Sequence, residues 1–173
     1  MESVLLLTGK PGTGKTSLVK EAVDRVGTKA GGFYTQDIRS GGARQGFKIV
    51  TLDAKEAVLA HINVSSPYQV SKYKVDIDSL NEVGVSALQQ ALKENDLIVV
   101  DEIGKMELLS PLFQDVVLQA IESGKKVLGT IMLGPHPFAD RIRCRPEVRT
   151  VLVSGVNRNQ VLEEILDWLC KAT

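Results

Sequence analysis

The chain is poor in the residues that mark several protein classes. Its 173 residues include only two cysteines, Cys144 and Cys170. They form no CxxC and have no histidine close by in sequence, which excludes the usual zinc-ligand spacings and leaves two reduced thiols as the expectation. Aromatic residues make up only 5% of the chain, and Phe33, Tyr34, Tyr68 and Tyr73 are read as packing rather than a base-stacking platform. The two histidines, His61 and His136, are isolated and are expected to be structural or exposed. Neither sign of charge is in excess: 21 Lys and Arg face 21 Asp and Glu. That balance argues against a broadly basic nucleic-acid surface, while leaving a local patch open. Long hydrophobic runs are missing too. The stretches "VLLL" and "LIVV" fall far short of the ~20 residues of a membrane span, and "MESVLLLTG" has an acidic second residue and too short an apolar run for a signal peptide. The expectation is a cytoplasmic monomer with no membrane or specific nucleic-acid partner, an activator protein being left open.

What is present is regular. The length predicts about one domain, residues 1–173, large enough to bury roughly 70% of its unfolded surface. "SVLLLTG" is continuously apolar and ends in glycine, as a strand buried on both faces does. Leu18, Ala22 and Val26, flanked by Val19 and Val23, then recur at helical spacing, with Gly27 as the stop. Residues 30–75 contain short β-like runs, "GGFYTQDIR", "GFKIVTL" and "AVLAHI", divided by glycines and polar residues. They are expected to form antiparallel strands attached to the same sheet. "DSLNEVGVSALQQALKEN" reads as a helix with a Ser79–Glu82 capping box. "DLIVVDEIG" is a second buried strand. "SPLFQDVVLQAIESG" is a helix with Ser110 as N-cap, Pro111 in its first turn and Gly124 beyond its end. "KKVLGTIML" and "VRTVLVSG" are further strands, and "NRNQVLEEILDWLCK" is a final helix with Val161, Ile165 and Leu169 inward. Strands alternating with helices predict an α/β fold whose mostly parallel sheet is covered on both faces.

"GKPGTGKT", residues 9–16, matches G-x-x-x-x-G-K-[ST] between a strand and a helix. The chemistry needs these residue types. Gly9, Gly12 and Gly14 let the backbone through Lys10, Pro11 and Thr13 curl, so that its N–H groups converge on phosphate oxygens. Lys15 adds a positive charge toward the β- and γ-phosphates, the helix N-terminus favours the same anion, and the Thr16 hydroxyl can bind Mg²⁺. The strand "LIVVDE" carries Val99 and Val100 to Asp101, placed for the Mg²⁺ hydration shell, and to Glu102, placed to orient or deprotonate a water. Ile103 and Gly104 follow. Lys105 is read either as a cation for the transition state or as a surface lysine. Arg141, Arg143, Arg145 and Arg149 offer an arginine finger or a solvated cluster, and Arg39 and Arg44 flank a glycine-rich loop. Asn157 is first an N-cap, and Arg158 is a candidate for stacking on a base. The G-x-G-x-x-G dinucleotide spacing and the guanine motif NKxD are both missing.

Taken together, "LLTGKPGTGKTSL", "GGFYTQDIRSGGARQGFKIVTL", "YKVDIDSL", "VVDEIGKMEL", "LGTI" and "VNRNQVLEEI" resemble the THEP-type nucleoside-triphosphatase family over nearly the whole chain. The resemblance implies a RecA-like P-loop fold and slow, Mg²⁺-dependent hydrolysis of several nucleoside triphosphates to diphosphates. It places nucleotide contacts on Gly9–Thr16 and on the strand ending in Asp101, Glu102 and Gly104, with Glu102 as the catalytic acid and Lys105 as a family lysine. Family members carry an acid where Gln36 stands, and "MLGPHPFADRIRC" matches only loosely. Two other readings stay open from the residues: a nucleoside or nucleotide kinase, in which Glu102 activates an acceptor hydroxyl, and a nucleotide-gated module read by a partner through the "RSGGARQG" loop.

Overall fold

The computed structural model describes residues 1–172. Strand β1 (Val4–Thr8) leads through the glycine-rich loop into α1 (Lys15–Val26). Five strands follow without an intervening helix: β2 (Ala30–Ser40), β3 (Ala43–Thr51), β4 (Glu56–His61), β5 (Gln69–Val70) and β6 (Tyr73–Val75). A helical run then comprises α2 (Ile77–Ser79), a π-helical stretch Leu80–Val85 and α3 (Ser86–Glu94). The chain continues through β7 (Leu97–Ile103), α4 (Pro111–Glu122), β8 (Lys126–Ile131), α5 (Pro137–Arg143), β9 (Val148–Leu152) and α6 (Arg158–Cys170).

The strands form one nine-stranded sheet in the order β5-β6-β4-β3-β2-β7-β8-β1-β9. Neighbours from β2 to β9 along that order run parallel, and β3, β4, β6 and β5 extend the other edge antiparallel. The expected α/β fold with antiparallel additions is therefore observed. The RecA-like feature is β8, which separates the loop-bearing β1 from the acid-bearing β7.

Both faces of the parallel part are covered, which is why its strands are apolar without interruption. Val4 and Leu6 of β1 pack on the side of α3, α4 and α5, and Leu5 and Leu7 pack on the side of α1 and α6. β7 divides in the same way, with Ile98 and Val100 on the first side and Leu97 and Val99 on the second. Each such side chain contributes roughly 1.5–3 kcal/mol on burial. Alternation continued by one residue points Asp101 toward α1, so the hydrophobic register of β7 aims the acid at the loop.

The helix ends at Gly27 and at Ser110–Pro111 lie where the sequence puts them: Gly27 has φ 65°, and Ser110 Oγ accepts from Phe113 N at 3.1 Å. Three local expectations are corrected. The Ser79–Glu82 capping box does not form, because the helical run starts earlier and Asp76 caps it, accepting from Ser79 N at 3.0 Å and from Ser79 Oγ at 2.8 Å. Residues 137–143 form the helix α5, between the strands expected at "KKVLGTIML" and "VRTVLVSG". In α6, Val161 and Ile165 are buried as expected, but Trp168 is buried with them and Leu169 only packs at the margin.

Candidate active site

The carboxyl ends of β1, β7 and β8 meet at one edge of the sheet, where ligands of open α/β sheets bind. From β1 the chain turns through Gly9–Thr16. Lys15 is the first residue of α1, and its ammonium folds back to donate to Gly9 O at 2.8 Å and Lys10 O at 3.0 Å. Thr13 Oγ1 donates to the same Lys10 carbonyl at 2.9 Å. The loop thus carries its own cation, held by its own carbonyls. Lys10 and Pro11 are exposed on its outer turn, and nothing lies within 4 Å of the Cβ position at Gly12. Gly14, at φ 86°, caps α1 with no side-chain hydrogen bond, so the unpaired amides of the first turn stay uncovered.

Gly9 is required by crowding. Its φ is 149°, and a Cβ would sit 2.5 Å from the carbonyl oxygen of Val153, whose own N–H bonds Thr8 O at 2.8 Å. The obstacle is backbone, which cannot swing aside. Gly9→Ala is expected to lower stability by about 2 kcal/mol or more and to weaken nucleotide binding; urea unfolding at parental m-value checks the first part. A midpoint equal to that of the parent would refute it.

Asp101 is buried and fully engaged. Its Oδ2 accepts from Thr16 Oγ1 at 2.8 Å and from Thr35 N at 3.4 Å, and its Oδ1 accepts from Thr130 Oγ1 at 2.6 Å. The Thr35 hydroxyl donates to the Asp101 carbonyl. Burial pushes the Asp101 carboxyl above its ordinary pKa, and the bonds from Thr130, Thr16 and Thr35 pull it back. Thr35 and Thr130 carry no motif of their own; each is the one threonine at or next to the end of an otherwise apolar strand segment, "GGFYT" and "LGTI".

A regular strand would send Glu102 to the opposite face from Asp101. A register shift prevents this. Val100 pairs with Gly129 and Ile103 with Ile131, so two residues of β7 oppose Thr130 alone, and Val100 and Ile103 pack on the same side. Such bulges re-aim side chains beside active sites. The Asp101–Glu102 peptide is cis. Burial first, then the neighbouring Asp101, raise the Glu102 carboxyl above its ordinary pKa, and the Lys15 ammonium lowers it. Glu102 therefore lies in the field of both the loop cation and the buried acid.

After Gly104, which is buried, Lys105 points outward and is exposed. The structure does not bring it into the polar cluster. It brings in Glu107 instead, a residue given no role from sequence. Glu107 begins a one-turn 3₁₀ helix, Glu107–Leu109, and is 4% exposed. Burial first, then the nearby Glu102, hold its carboxyl well above the ordinary range. Its signal in the sequence is an acid flanked by Met106 and Leu108, where a turn of helix would be expected to face the core.

The outer residues divide clearly. Asn157 stands at the start of α6 but makes no cap; its Oδ1 accepts from Ser154 N at 2.8 Å and its Nδ2 donates to Leu152 O at 2.8 Å, closing the loop after β9. Arg158 bonds Glu21 Oε2 at 3.2 Å, and its Nε is 3.6 Å from the Cβ position of Gly14, so it lies beside the loop. Arg39 and Arg44 both pair with Asp37 at the hairpin of β2 and β3. Arg143 is bound to Asp140, to the Met132 carbonyl and to Gly134 O. Arg145 pairs with Glu122 and Glu147, Arg149 pairs with Glu164, and Arg141 lies over Phe138. Each of these arginines has a partner within the chain.

The donor set suits a hard cation. Thr16 and Asp101 offer only oxygen, 2.8 Å apart. No group of three or more His, Cys, Asp and Glu that could hold a metal occurs among the described residues. A cation here would take most of its oxygens from phosphate and water, as Mg²⁺ does and a caged Ca²⁺ or Zn²⁺ does not.

A family model described as NTPase matches residues 4–166. The nucleoside-triphosphatase THEP1 of Thermotoga maritima is 48% identical over 165 residues, covering 95% of this chain and 94% of the relative. The crystal structure of THEP1 from the hyperthermophile Aquifex aeolicus superposes with TM-score 0.90 at 35% identity, over 97% of this chain and 99% of that one. The solution structure of a human cancer-related nucleoside triphosphatase superposes with TM-score 0.84 at 34% identity over the whole of both chains.

Proposed function

This chain belongs to the THEP1-type nucleoside-triphosphatase family and is a nucleoside-triphosphatase, and from that premise we propose a Mg²⁺-dependent phosphohydrolase that converts NTP and water to NDP and phosphate, slowly and with little regard for the base. The observation that carries this reading is the 2.8 Å bond from Thr16 Oγ1 to Asp101 Oδ2, which ties the phosphate loop to the acid strand and sets Glu102 beside both.

The residues divide the work. The amides of Gly9–Thr16 and the Lys15 ammonium bind the phosphates. Thr16 and Asp101 would hold Mg²⁺, which when bound supplies positive charge to the phosphate oxygens. Glu102 accepts a hydrogen bond from the attacking water and turns it in line, and the proton released by that water passes to its carboxylate. Little more is needed, since phosphoryl transfer relies on positioning and charge stabilisation. Base tolerance is supported by a binding loop built from backbone amides and one lysine, none of which reads a base. Slow turnover is supported by the cations: Arg143, Arg145, Arg149 and Arg158 are each committed to an ion pair or a carbonyl, which leaves the exposed Lys105, outside the polar cluster, or an activator's cation to supply further charge in the transition state. The same commitments weigh against the kinase alternative, which needs a mobile cationic lid. The reading takes residues 1–173 as one domain. Cytoplasmic location is supported by two exposed free cysteines, and no helix among the described residues is long and apolar enough to cross a membrane.

The test is Mg²⁺-dependent phosphate release from ATP, GTP, CTP and UTP, with chelator controls. All four are expected to be hydrolysed. Hydrolysis of one alone would overturn the base tolerance, and transfer of the γ-phosphate to an added nucleoside or nucleotide would overturn the hydrolase reading in favour of a kinase.

A further inference from the structure

Glu107 is a buried carboxyl that the chemistry above does not use. It has no ion pair among those of the described residues, and its backbone is fixed: Leu108 N bonds Gly104 O at 2.9 Å, Ser110 N bonds the Glu107 carbonyl at 3.1 Å, and Gln114 Nε2 from α4 bonds Leu108 O at 2.8 Å. The geometry at Gly104 shows where its side chain goes. A Cβ on Gly104 would lie 2.4 Å from Glu102 Oε1 and 3.0 Å from Glu107 Oε2. Both carboxyl groups therefore converge on the space that glycine leaves, and the two oxygens lie no further apart than those two distances together. Two carboxylates facing each other across one glycine repel, and a proton held between them turns the contact into a hydrogen bond. Glu107, fixed on its turn, is the member of the pair able to hold the other in place.

We propose that Glu107 is a positioning residue for Glu102: seated on the rigid 104–110 turn, it holds the Glu102 carboxylate across Gly104 in the orientation that aims the attacking water. This rests on the reading of Glu102 given above. The arrangement also explains Gly104, since any side chain there would push the pair apart. A carboxylate free to rotate away from the water would still leave the nucleotide bound, so the loss should fall on kcat and not on affinity.

The experiment is steady-state kinetics and nucleotide binding on the full chain with Glu107→Leu, Glu107→Asp and Glu107→Gln, each alone and combined with Glu102→Gln. Glu107→Leu is expected to lower kcat by about 10- to 100-fold, the usual cost of removing a group that orients a reactive one, with nucleotide Kd near the parental value. Glu107→Asp, which keeps the acid but withdraws it, should also lose kcat. Glu107→Gln keeps a donor of the same length and should recover most of it. In the Glu102→Gln background, removing Glu107 should cost nothing further, because residues acting through one another are not additive. If Glu107→Leu does not fold, the Asp and Gln variants and their combinations decide the matter. Parental kcat in Glu107→Asp, a Gln variant as slow as Asp, or a full additional loss in the Glu102→Gln background would overturn the proposal. Undiminished turnover by Glu102→Gln alone would instead overturn the reading of Glu102 on which it stands.

Discussion

Glu102→Gln is expected to cut phosphate release by about 10²- to 10⁴-fold, the contribution of a well-placed general base, while nucleotide binding stays within a few-fold of the parent. The amide has the size of the carboxylate and keeps one oxygen, so packing against Gly104 and Glu107 survives. It lacks the basicity that takes a proton from water and the negative charge that Lys15 and Asp101 now feel. Binding is untouched because the groups that grip phosphate, the Gly9–Thr16 amides and Lys15, lie on another element. Single-turnover phosphate release beside equilibrium binding of a labelled nucleotide separates the two effects. A variant that turns over normally would remove Glu102 from the chemistry. One that also loses nucleotide would make it a binding residue.

Lys15→Ala should fail earlier, at binding. An ammonium in a charge-assisted hydrogen bond contributes about 1.5–3 kcal/mol, so a loss of roughly 10- to 100-fold in nucleotide affinity is expected, with a further fall in turnover as γ-phosphate charge goes unbalanced. The structure adds a second consequence. Lys15 Nζ bridges Gly9 O and Lys10 O, so the loop loses its internal tie as well as its charge. Lys15→Arg is expected to restore little, because two carbonyls 2.8 Å and 3.0 Å from one nitrogen suit a compact ammonium better than a planar fork. Isothermal titration with a non-hydrolysable triphosphate, alongside thermal unfolding to show that the fold is intact, gives the answer. Parental affinity in a folded Lys15→Ala would show that the loop binds phosphate through its amides alone.

Where the sequence reading departs from the structure, the reason is specific. A strict four-residue step puts Val161, Ile165 and Leu169 on the inward face of the last helix. At 3.6 residues per turn, seven residues return closer to the starting face than eight. Trp168 therefore takes the buried place, its Nε1 bonding the Glu2 carbonyl at 2.9 Å. Asn157 has the residue type of an N-cap, yet closing the loop from Leu152 engages both ends of its amide. Arg141, Arg143, Arg145 and Arg149, in α5 and beyond it, resemble a finger or lid cluster in one dimension, and only the tertiary structure gives the partners that engage Arg143, Arg145 and Arg149.

The sequence by itself determined the buried parallel strands, the loop from Gly9 to Thr16, the helix limits at Gly27 and Ser110–Pro111, and the acid pair Asp101–Glu102, because each depends on neighbours within a few residues or on a short period. Tertiary structure decided what those residues face. Thr16 and Asp101 are 85 positions apart and share a hydrogen bond; Thr35 and Thr130 arrive from the two strands flanking β7 to fix the same carboxylate; and a bulge opposite Thr130 keeps Glu102 with its neighbour. Glu107 enters the site for a similar reason, since only the turn around Gly104 tells a buried acid from a solvated one. Contacts of this kind are set by strand order and register, which no local pattern encodes.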